Sequence, residues 1–408
     1  MTNKPVLLVA LLSSICLSIV LFVPFLRSVD LGRTGIVTFS IILEKPEYFD
    51  ELSTWLDYLN YSHFTFAIRD VAMDYILGNS TRVSKLKQYG KIIPEMSYIQ
   101  TNSTERRASW MDQCIKRYNE SLGYVPQGIM SFQPDTYTCN YLLSEGFIYV
   151  QGYCFDQYAI DFMTMRGGFQ MPYYANTLNV LVPNNETERG IIILPHSTWD
   201  WVESFRVSHE IQLHPQNLIS LVFHGYKSVA EEYFLRLIDN SISGSWPFGL
   251  AVCQFEWAWC YSGGYSNEAK DWIEKVTTTR PYQFWDFEAI ANWFKANYSH
   301  TPTYEINFTS PYSKEKIEWY YDMKSRIARI GQKIVSYVDY RSQAPDKYLV
   351  QAGFIDYLAP RTESNCIDNS LRFEIDALGG GNNRAPIKTK TYDYAGELQY
   401  FPYQYASP

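Results

Sequence analysis

The stretch Ile191-Ile192-Ile193-Leu194-Pro195-His196 is a short apolar run that stops on an ionisable side chain. The same arrangement recurs along the chain. Ile92-Ile93-Pro94 leads to Glu95, and Ser131-Phe132-Gln133-Pro134 leads to Asp135. Tyr153-Cys154-Phe155 leads to Asp156, Leu221-Val222-Phe223 to His224, and Cys253-Gln254-Phe255 to Glu256. Phe66-Ala67-Ile68 ends in Arg69-Asp70. Runs of this length, bounded by polar residues, read as strands covered on both faces, the condition of a parallel sheet. They predict strands at 36–39, 64–68, 91–93, 128–132, 147–150, 191–194, 218–223 and 250–255. Helical spacing of apolar residues predicts helices over 46–59, 230–238 and 266–276, with Ser266 as N-cap, and over 284–295, which would close a barrel. The alternation is that of βαβ units, so the predicted fold class is α/β, a distorted (β/α) barrel over residues 35–298.

In such a barrel the C-terminal strand ends share one mouth, where active sites sit. Glu95, Asp135, His196 and Glu256 are therefore the candidate catalytic residues. Asp70, Asp156, Trp199, His224, Trp257 and Trp259 are candidates for substrate binding. Crowded carboxylates push each other's proton affinities apart, which separates acid from base, and indole rings stack on sugar faces. The opposing view is ordinary: strands must end, and polar residues end them. Four of the six histidines fall between residues 196 and 224. His209 and His214 are not at the spacing of a two-histidine zinc helix, so no metal or other cofactor is indicated.

Residues 6–26 carry no charge, enough for one membrane-spanning helix, which takes about 20 apolar residues. A signal segment removed after secretion is the rival reading. Lys4 precedes the run and Arg27 and Arg33 follow it, so flanking charge says little about orientation. Glycosylation acceptor triplets say more. Asn60, Asn79, Asn102, Asn119, Asn185, Asn297 and Asn307 each head one, where roughly three would arise by chance. The expectation is a single-pass protein of the cell membrane with its main domain outside and glycosylated. Cysteine usage agrees: outside the apolar run there remain Cys114, Cys139, Cys154, Cys253, Cys260 and Cys366, an even number. Cys253–Cys260 and Cys139–Cys154 are the expected bridges.

The 408-residue chain has a net charge of −8 and no basic tract, which argues against nucleic acid as a partner. It holds 34 Tyr, 23 Phe and 11 Trp, suited to sugar stacking but equally to cores and interfaces. Beyond the barrel, the alternation at 303–308 and 333–340 and the apolar run at 347–354 predict a small β-rich domain over 299–360. A Gly/Tyr-rich tail follows over 361–408, where Gly379-Gly380-Gly381 opens the most polar part, disordered alone or an arm for protein assembly.

The order of motifs resembles the polysaccharide deacetylase (NodB-like) superfamily over residues 35–200, with a weaker echo at 284–294. Ile36-Val37-Thr38-Phe39 resembles that family's opening strand, and His63-Phe64-Thr65-Phe66 its second. Residues 83–97 resemble the helix and strand leading to its paired histidines. Residues 141–150 resemble the approach to its fifth strand, and 191–196 the late strand that ends in a catalytic histidine. The resemblance implies a distorted barrel and a sugar-linked ancestry. It would imply a metal-made hydroxide too, but the family's Thr-Phe-Asp-Asp is Thr38-Phe39-Ser40-Ile41 here, its His-Ser/Thr-x-x-His is Met96-Ser97-Tyr98-Ile99-Gln100, and its Arg-x-Pro-Tyr-Gly is reduced to Phe132-Gln133-Pro134-Asp135. Two functions stay open. One is a carbohydrate-active barrel that acts on or recognises a surface glycan, with carboxylates in place of the ancestral metal chemistry. The other is a non-catalytic glycosylated surface or assembly protein.

Overall fold

A parallel sheet organises the chain because its apolar runs hydrogen-bond side by side in sequence order. In the computed structural model these are β1 (Gly35–Leu43), β2 (Phe64–Arg69), β3 (Gly90–Glu95), β4 (Gly128–Met130) and β5 (Tyr149–Gly152). The short pieces β6 (Gln157–Ala159) and β7 (Phe162–Met163) form a separate two-stranded ribbon. After them come β8 (Tyr173–Tyr174), β9 (Ile192–Pro195), β10 (Ser245–Trp246), β11 (Gly249–Glu256) and β12 (Gln283–Phe284). The sheet runs β11-β1-β2-β3-β4-β5-β9-β8, with β12 alongside the start of β1. The structure describes residues 35–96, 103–131, 135–152, 157–159, 162–163, 170–180, 182–184, 190–195, 198, 200, 202, 211, 213–342, 366–368, 389–393 and 398–401. The apolar segment 6–26 and the run 347–354 lie outside them. Among the described residues, no helix is long and apolar enough to cross a membrane.

Register decides which side chains share a face, because directly paired residues of parallel strands point the same way. Phe39 pairs with Phe64, and Ile41 with Phe66 and Phe255. These, with Ile68, Ile92, Ile129, Val150 and Ile193, make an apolar outer face that is almost fully buried. Helices cover it, among them α1 (Phe49–Asp57), α2 (Asp70–Leu77), α3 (Ser80–Tyr89) and α4 (Thr104–Leu122). Trp55 of α1 packs its ring 6.1 Å from Phe64, and the Tyr118 hydroxyl of α4 donates to the Ile68 carbonyl at 3.2 Å. Each such side chain contributes about 1.5–3 kcal/mol when fully buried.

The inner face reads differently: Thr38, Ser40, Thr65, Lys91, Tyr149, Gln151 and Gln254 lie on it by the same register. At its lower end stands α9 (Phe287–Asn297), the helix expected over 284–295, which begins later because Gln283–Phe284 form β12. Asp286 caps that helix through the Ala289 amide, the Phe287 amide donates to Thr65 Oγ1 at 3.1 Å, and Lys91 pairs with Glu288 at 2.9 Å. No ladder joins β11 to β9 among the described residues. Thr198, just after β9, instead accepts from the Val252 amide of β11 at 2.7 Å.

Three expectations fail here. Residues 218–223 are not a strand. They continue the turn Pro215–Asn217 as the wide helical segment Leu218–Val222, ahead of α6 (Lys227–Ser243). An apolar run of six fits either state, and His214-Pro215 favours a helix start by fixing the first helical φ. The expected Cys253–Cys260 bridge is also absent. Cys253 points to the apolar outer face of β11, Cys260 lies in α7 (Trp257–Ser262), and both are buried thiols. Burial raises Cys253 well above its usual range and Cys260 to about 12. Cys139 is buried in α5 (Thr136–Ser144), and its expected partner Cys154 lies outside the described residues. Ser266 is the first residue of α8 (Ser266–Thr279) rather than its cap.

The C-terminal part is antiparallel: β13 (Tyr304–Thr309), β14 (Lys316–Tyr321), β15 (Ser325–Ile330) and β16 (Lys333–Asp339) form a meander. β17 (Cys366–Asp368), β18 (Thr389–Asp393) and β19 (Leu398–Phe401) extend it, so the described parts of the tail pair within this chain. The meander's other neighbour is β10, which immediately precedes β11 of the parallel sheet. Asp200, fully buried, accepts from Tyr233 of α6 and from Ser310 after β13. Gly35–Pro408 accordingly form one unit.

Gly90 ends α3 and starts β3, where an added Cβ would fall 2.0 Å from the Phe64 carbonyl oxygen. Gly90→Ala is expected to lower stability by about 1–3 kcal/mol, as overpacking against fixed backbone does. Urea unfolding followed by circular dichroism measures this, and an unchanged midpoint would contradict the pairing of β2 with β3.

Candidate active site at the strand ends

Four charged residues fall on the upper ends of three neighbouring strands and just beyond a fourth. Glu256 ends β11 and pairs in register with Ile42 of β1. Glu44 follows β1 at the next inner-face position. Arg69 ends β2, pairs in register with Glu95 of β3, and donates from Nε to its Oε2 at 3.0 Å. Glu95 is 2% exposed, so this pair is held in a low-dielectric setting where removing one partner is costly. Glu44 is half-buried and accepts at Oε1 from the Ala258 amide of α7 at 3.0 Å. Its Oε2 is buried with no hydrogen-bond partner among the described residues. Burial raises the proton affinity of Glu44, opposed in part by its backbone hydrogen bonds and by the Arg69 charge.

Beneath these tips the inner face is mixed, carrying buried polar atoms beside Ile42, Ala67, Ile93 and Met130. Thr38 Oγ1, Ser40 Oγ, the Tyr149 hydroxyl, both amide atoms of Gln151 and Gln254 Oε1 are buried without a partner among the described residues. Buried polar atoms ordinarily find water or a ligand, so this interior suits hydroxyl-rich chemistry better than apolar chemistry.

The remaining candidates sit as follows. Asp135 is the N-cap of α5: Oδ1 accepts from the Thr138 amide at 2.7 Å, and Oδ2 is ion-paired to Arg107 of α4. Arg107 is itself buried and also reaches Thr138 Oγ1 at 3.1 Å. Asp70 is exposed at the first position of α2, bonded to the Val71 amide at 2.7 Å. Trp257 is buried, donates to the Tyr48 carbonyl at 2.8 Å and packs 5.2 Å from Trp55, while Trp259 is half-buried. His224 is exposed in the turn before α6 at a φ of 46°, a consequence of the helix that replaces the expected strand. Asp156, His196 and Trp199 lie outside the described residues.

Glu44 is not among the candidates read from sequence. The strand predicted there stops at residue 39, whereas β1 runs on to Leu43. The alternation Thr38, Ser40, Glu44 on one face is its signal, masked by the apolar run Ile41 to Leu43. This also moves the mouth of β1 away from Ser40-Ile41, both of which are fully buried within the strand.

The resemblance to metal-dependent deacetylases can be tested on these side chains. The donors at the tips of β1, β3 and β11 are carboxylates, and a guanidinium stands among them with Glu95 already bound to it. Among the described residues, no three His, Cys, Asp or Glu come together as a metal-ligand set. The described carboxylates at these strand ends therefore do not form a divalent-metal site by themselves.

Residues 45–220 match a family model described as a domain of unknown function with a solved structure, DUF3863. No curated protein matches the chain. Among solved structures it is similar to a Mycobacterium smegmatis protein described as a polysaccharide deacetylase, at 15% identity over 65% of this chain and 91% of that one, TM-score 0.43. It is similar to a GH57-type branching enzyme of Pyrococcus horikoshii at 11% identity, 64% and 70% coverage and TM-score 0.42. A CE4 family pseudoenzyme from Bacillus anthracis is similar at 9% identity, 63% and 66% coverage and TM-score 0.32.

The acceptor asparagines divide by what their side chains already do. Asn60, Asn119 and Asn307 are exposed. Asn79 caps α3, its Oδ1 accepting from Thr81 and Arg82 amides, and Asn297 donates to the Trp293 carbonyl at 2.8 Å. Asn102 and Asn185 lie outside the described residues.

Arg107→Ala removes the ion-pair partner of the buried Asp135 carboxylate, and is expected to cost about 3–5 kcal/mol in urea unfolding, against less than about 0.5 for exposed Glu105→Ala. Glu44 binds its proton more tightly folded than unfolded, where the carboxyl titrates near pH 4.3. Its ionisation therefore lowers stability as pH rises from that value through its folded value, and has no effect below it. The stability of Glu44→Gln relative to wild type is expected to rise between pH 4 and 7; a flat difference would show the carboxyl is not desolvated.

Proposed function

We propose that this protein is an extracytoplasmic carbohydrate-active barrel, tethered by its apolar N-terminal segment, that engages a glycan at the upper strand ends without metal-dependent deacetylation. The observation that carries this is the row Glu256, Glu44, Arg69 and Glu95 above an interior that carries buried polar atoms. Carboxylates accept and a guanidinium donates hydrogen bonds, the complement of sugar hydroxyls. The order of strand motifs, similar to polysaccharide deacetylases, supports a sugar as the ligand. In a reacting form of this site Glu44 is the proton donor, since desolvation favours its neutral state, and Glu256, on the neighbouring strand end, is the second carboxylate.

One observation favours the alternative, a non-catalytic glycosylated surface protein. Glu95 is committed to Arg69, Asp135 to Arg107, and the Trp257 ring nitrogen to Tyr48, so three candidate side chains also serve the scaffold.

The test is direct binding of the full chain, made in a eukaryotic secretory host, to a panel of neutral and amino-sugar oligosaccharides. Wild type is expected to bind at least one with Kd on the order of 0.1–1 mM, weakened about tenfold in Glu256→Gln. New reducing ends that vanish in Glu44→Gln would establish hydrolysis. Absence of any binding at 10 mM (an upper bound of about 3 kcal/mol on the interaction) would overturn the reading.

A further inference from the structure

The opposite end of the sheet carries a cleft of about 710 Å³, within the range of small-molecule sites. It is built where strands begin, from the loop before β2, the end of α3 and the strand β12. Its walls include Tyr282, Phe284 and Trp285 with the amides Asn60, Gln88 and Gln283. None of the lining residues is Asp, Glu, Lys or Arg, and His63 is the one imidazole among them. That composition holds no fixed charge to neutralise a phosphate, a carboxylate or an ammonium ion, and it contrasts with the carboxylates and guanidinium at the upper strand ends. Aromatic rings beside neutral amides match a neutral, ring-bearing, hydroxyl-rich ligand: the rings take the C–H face of a pyranose and the amides both donate to and accept from its hydroxyls.

A second observation points to the same chemistry. Asn60 lines the cleft and heads the acceptor triplet Asn60-Tyr61-Ser62. Its side chain is exposed, whereas that of Asn79 is half-buried and caps a helix. A glycan attached there begins at the cleft's rim, so binding would be intramolecular and would gain the high effective concentration of a short tether.

We propose that this cleft is a saccharide site for a neutral sugar, and that the glycan carried by Asn60 is its occupant. The same chemistry would accept a free neutral oligosaccharide, and the experiment separates the two sources. It is independent of the upper strand ends, so the Glu256→Gln binding result neither supports nor removes it.

The full chain is produced in a eukaryotic secretory host, and glycan occupancy at Asn60 is read by glycopeptide mass spectrometry. Amide hydrogen exchange over residues 282–285 is compared between wild type and Asn60→Gln. If the attached glycan sits in the cleft, Asn60 is occupied and exchange there is about tenfold faster in Asn60→Gln, with residues 317–321 unchanged as internal control. If the source is free sugar, exchange is equal in both, but Asn60→Gln responds to released high-mannose glycan or chitotetraose by a saturable change in tryptophan fluorescence. That response is lost in Asn60→Gln/Trp285→Phe and weakened in Asn60→Gln/Gln283→Ala, the latter an exposed position that leaves folding intact; this outcome keeps the saccharide site and overturns the attached glycan as its occupant. Equal exchange together with no fluorescence response at 10 mM of either probe overturns the proposal entirely.

Discussion

In-register pairing of parallel strands is the constraint on which the molecule depends. Because Phe39 pairs with Phe64 and Ile41 with Phe66, every alternate side chain of the central strands is committed to one face at once. The outer set is nearly all apolar and sits under helices; the inner set is mixed, with Thr38, Ser40, Thr65, Gln151 and Gln254 facing inward. A one-residue slip of β1 would exchange Phe39 for Ser40 against Tyr61 and Phe64, placing hydroxyls in an aromatic cluster and rings among the polar atoms of the interior. The register therefore fixes both the core and the chemical character of the interior.

The same register delivers the charges. Arg69 and Glu95 are partners because β2 and β3 end level with one another, not because they are near in sequence. Glu44 reaches the row because β1 runs to Leu43, which pairs with Ile68, so the next residue stands level with Arg69. Arg69 then engages Glu95 while desolvation favours a proton on Glu44, so neighbouring strand ends place a paired carboxylate beside one whose proton affinity is raised.

Most of the parallel strands were legible in the sequence because a short apolar run, bounded by polar residues and followed by helical periodicity, fits little except a buried strand of a β/α unit. The exceptions are instructive. Residues 218–223 are as apolar as any strand, and only His214-Pro215 upstream distinguishes them, through proline's fixed φ. β14 and β15 escaped notice since their alternation is diluted by Glu318, Arg326 and Arg329, of which Arg326 is fully buried against type. The Cys253–Cys260 spacing suggested a bridge, but a strand followed by a helix turns the first sulfur into the apolar layer. At the site, Glu256 and Glu95 were visible at strand ends, while Glu44 was hidden behind Ile41-Ile42-Leu43.

The deeper reason that strand-end acids are ambiguous is architectural. In a β/α unit the end of a strand is also the start of a helix, whose first amides attract carboxylates regardless of function. Asp70, Asp135 and Asp286 show this: each is short enough to turn back onto a helix amide, at Val71, Thr138 and Ala289 respectively. Glutamate is poorly suited to that local task, being one methylene longer and absent from the favoured N-cap set. Glu256 stands at the N-cap position of α7 without a side-chain cap hydrogen bond, Glu95 turns to Arg69, and Glu44 takes an amide from a helix that starts more than 200 residues later. Capping of the following helix thus accounts for the aspartates, whereas Glu44 caps a helix distant in sequence and Glu95 holds Arg69 across strands. Longer side chains at strand ends reach across the mouth instead of back onto their own chain, and so the glutamates, unlike the aspartates, bring separate elements together there.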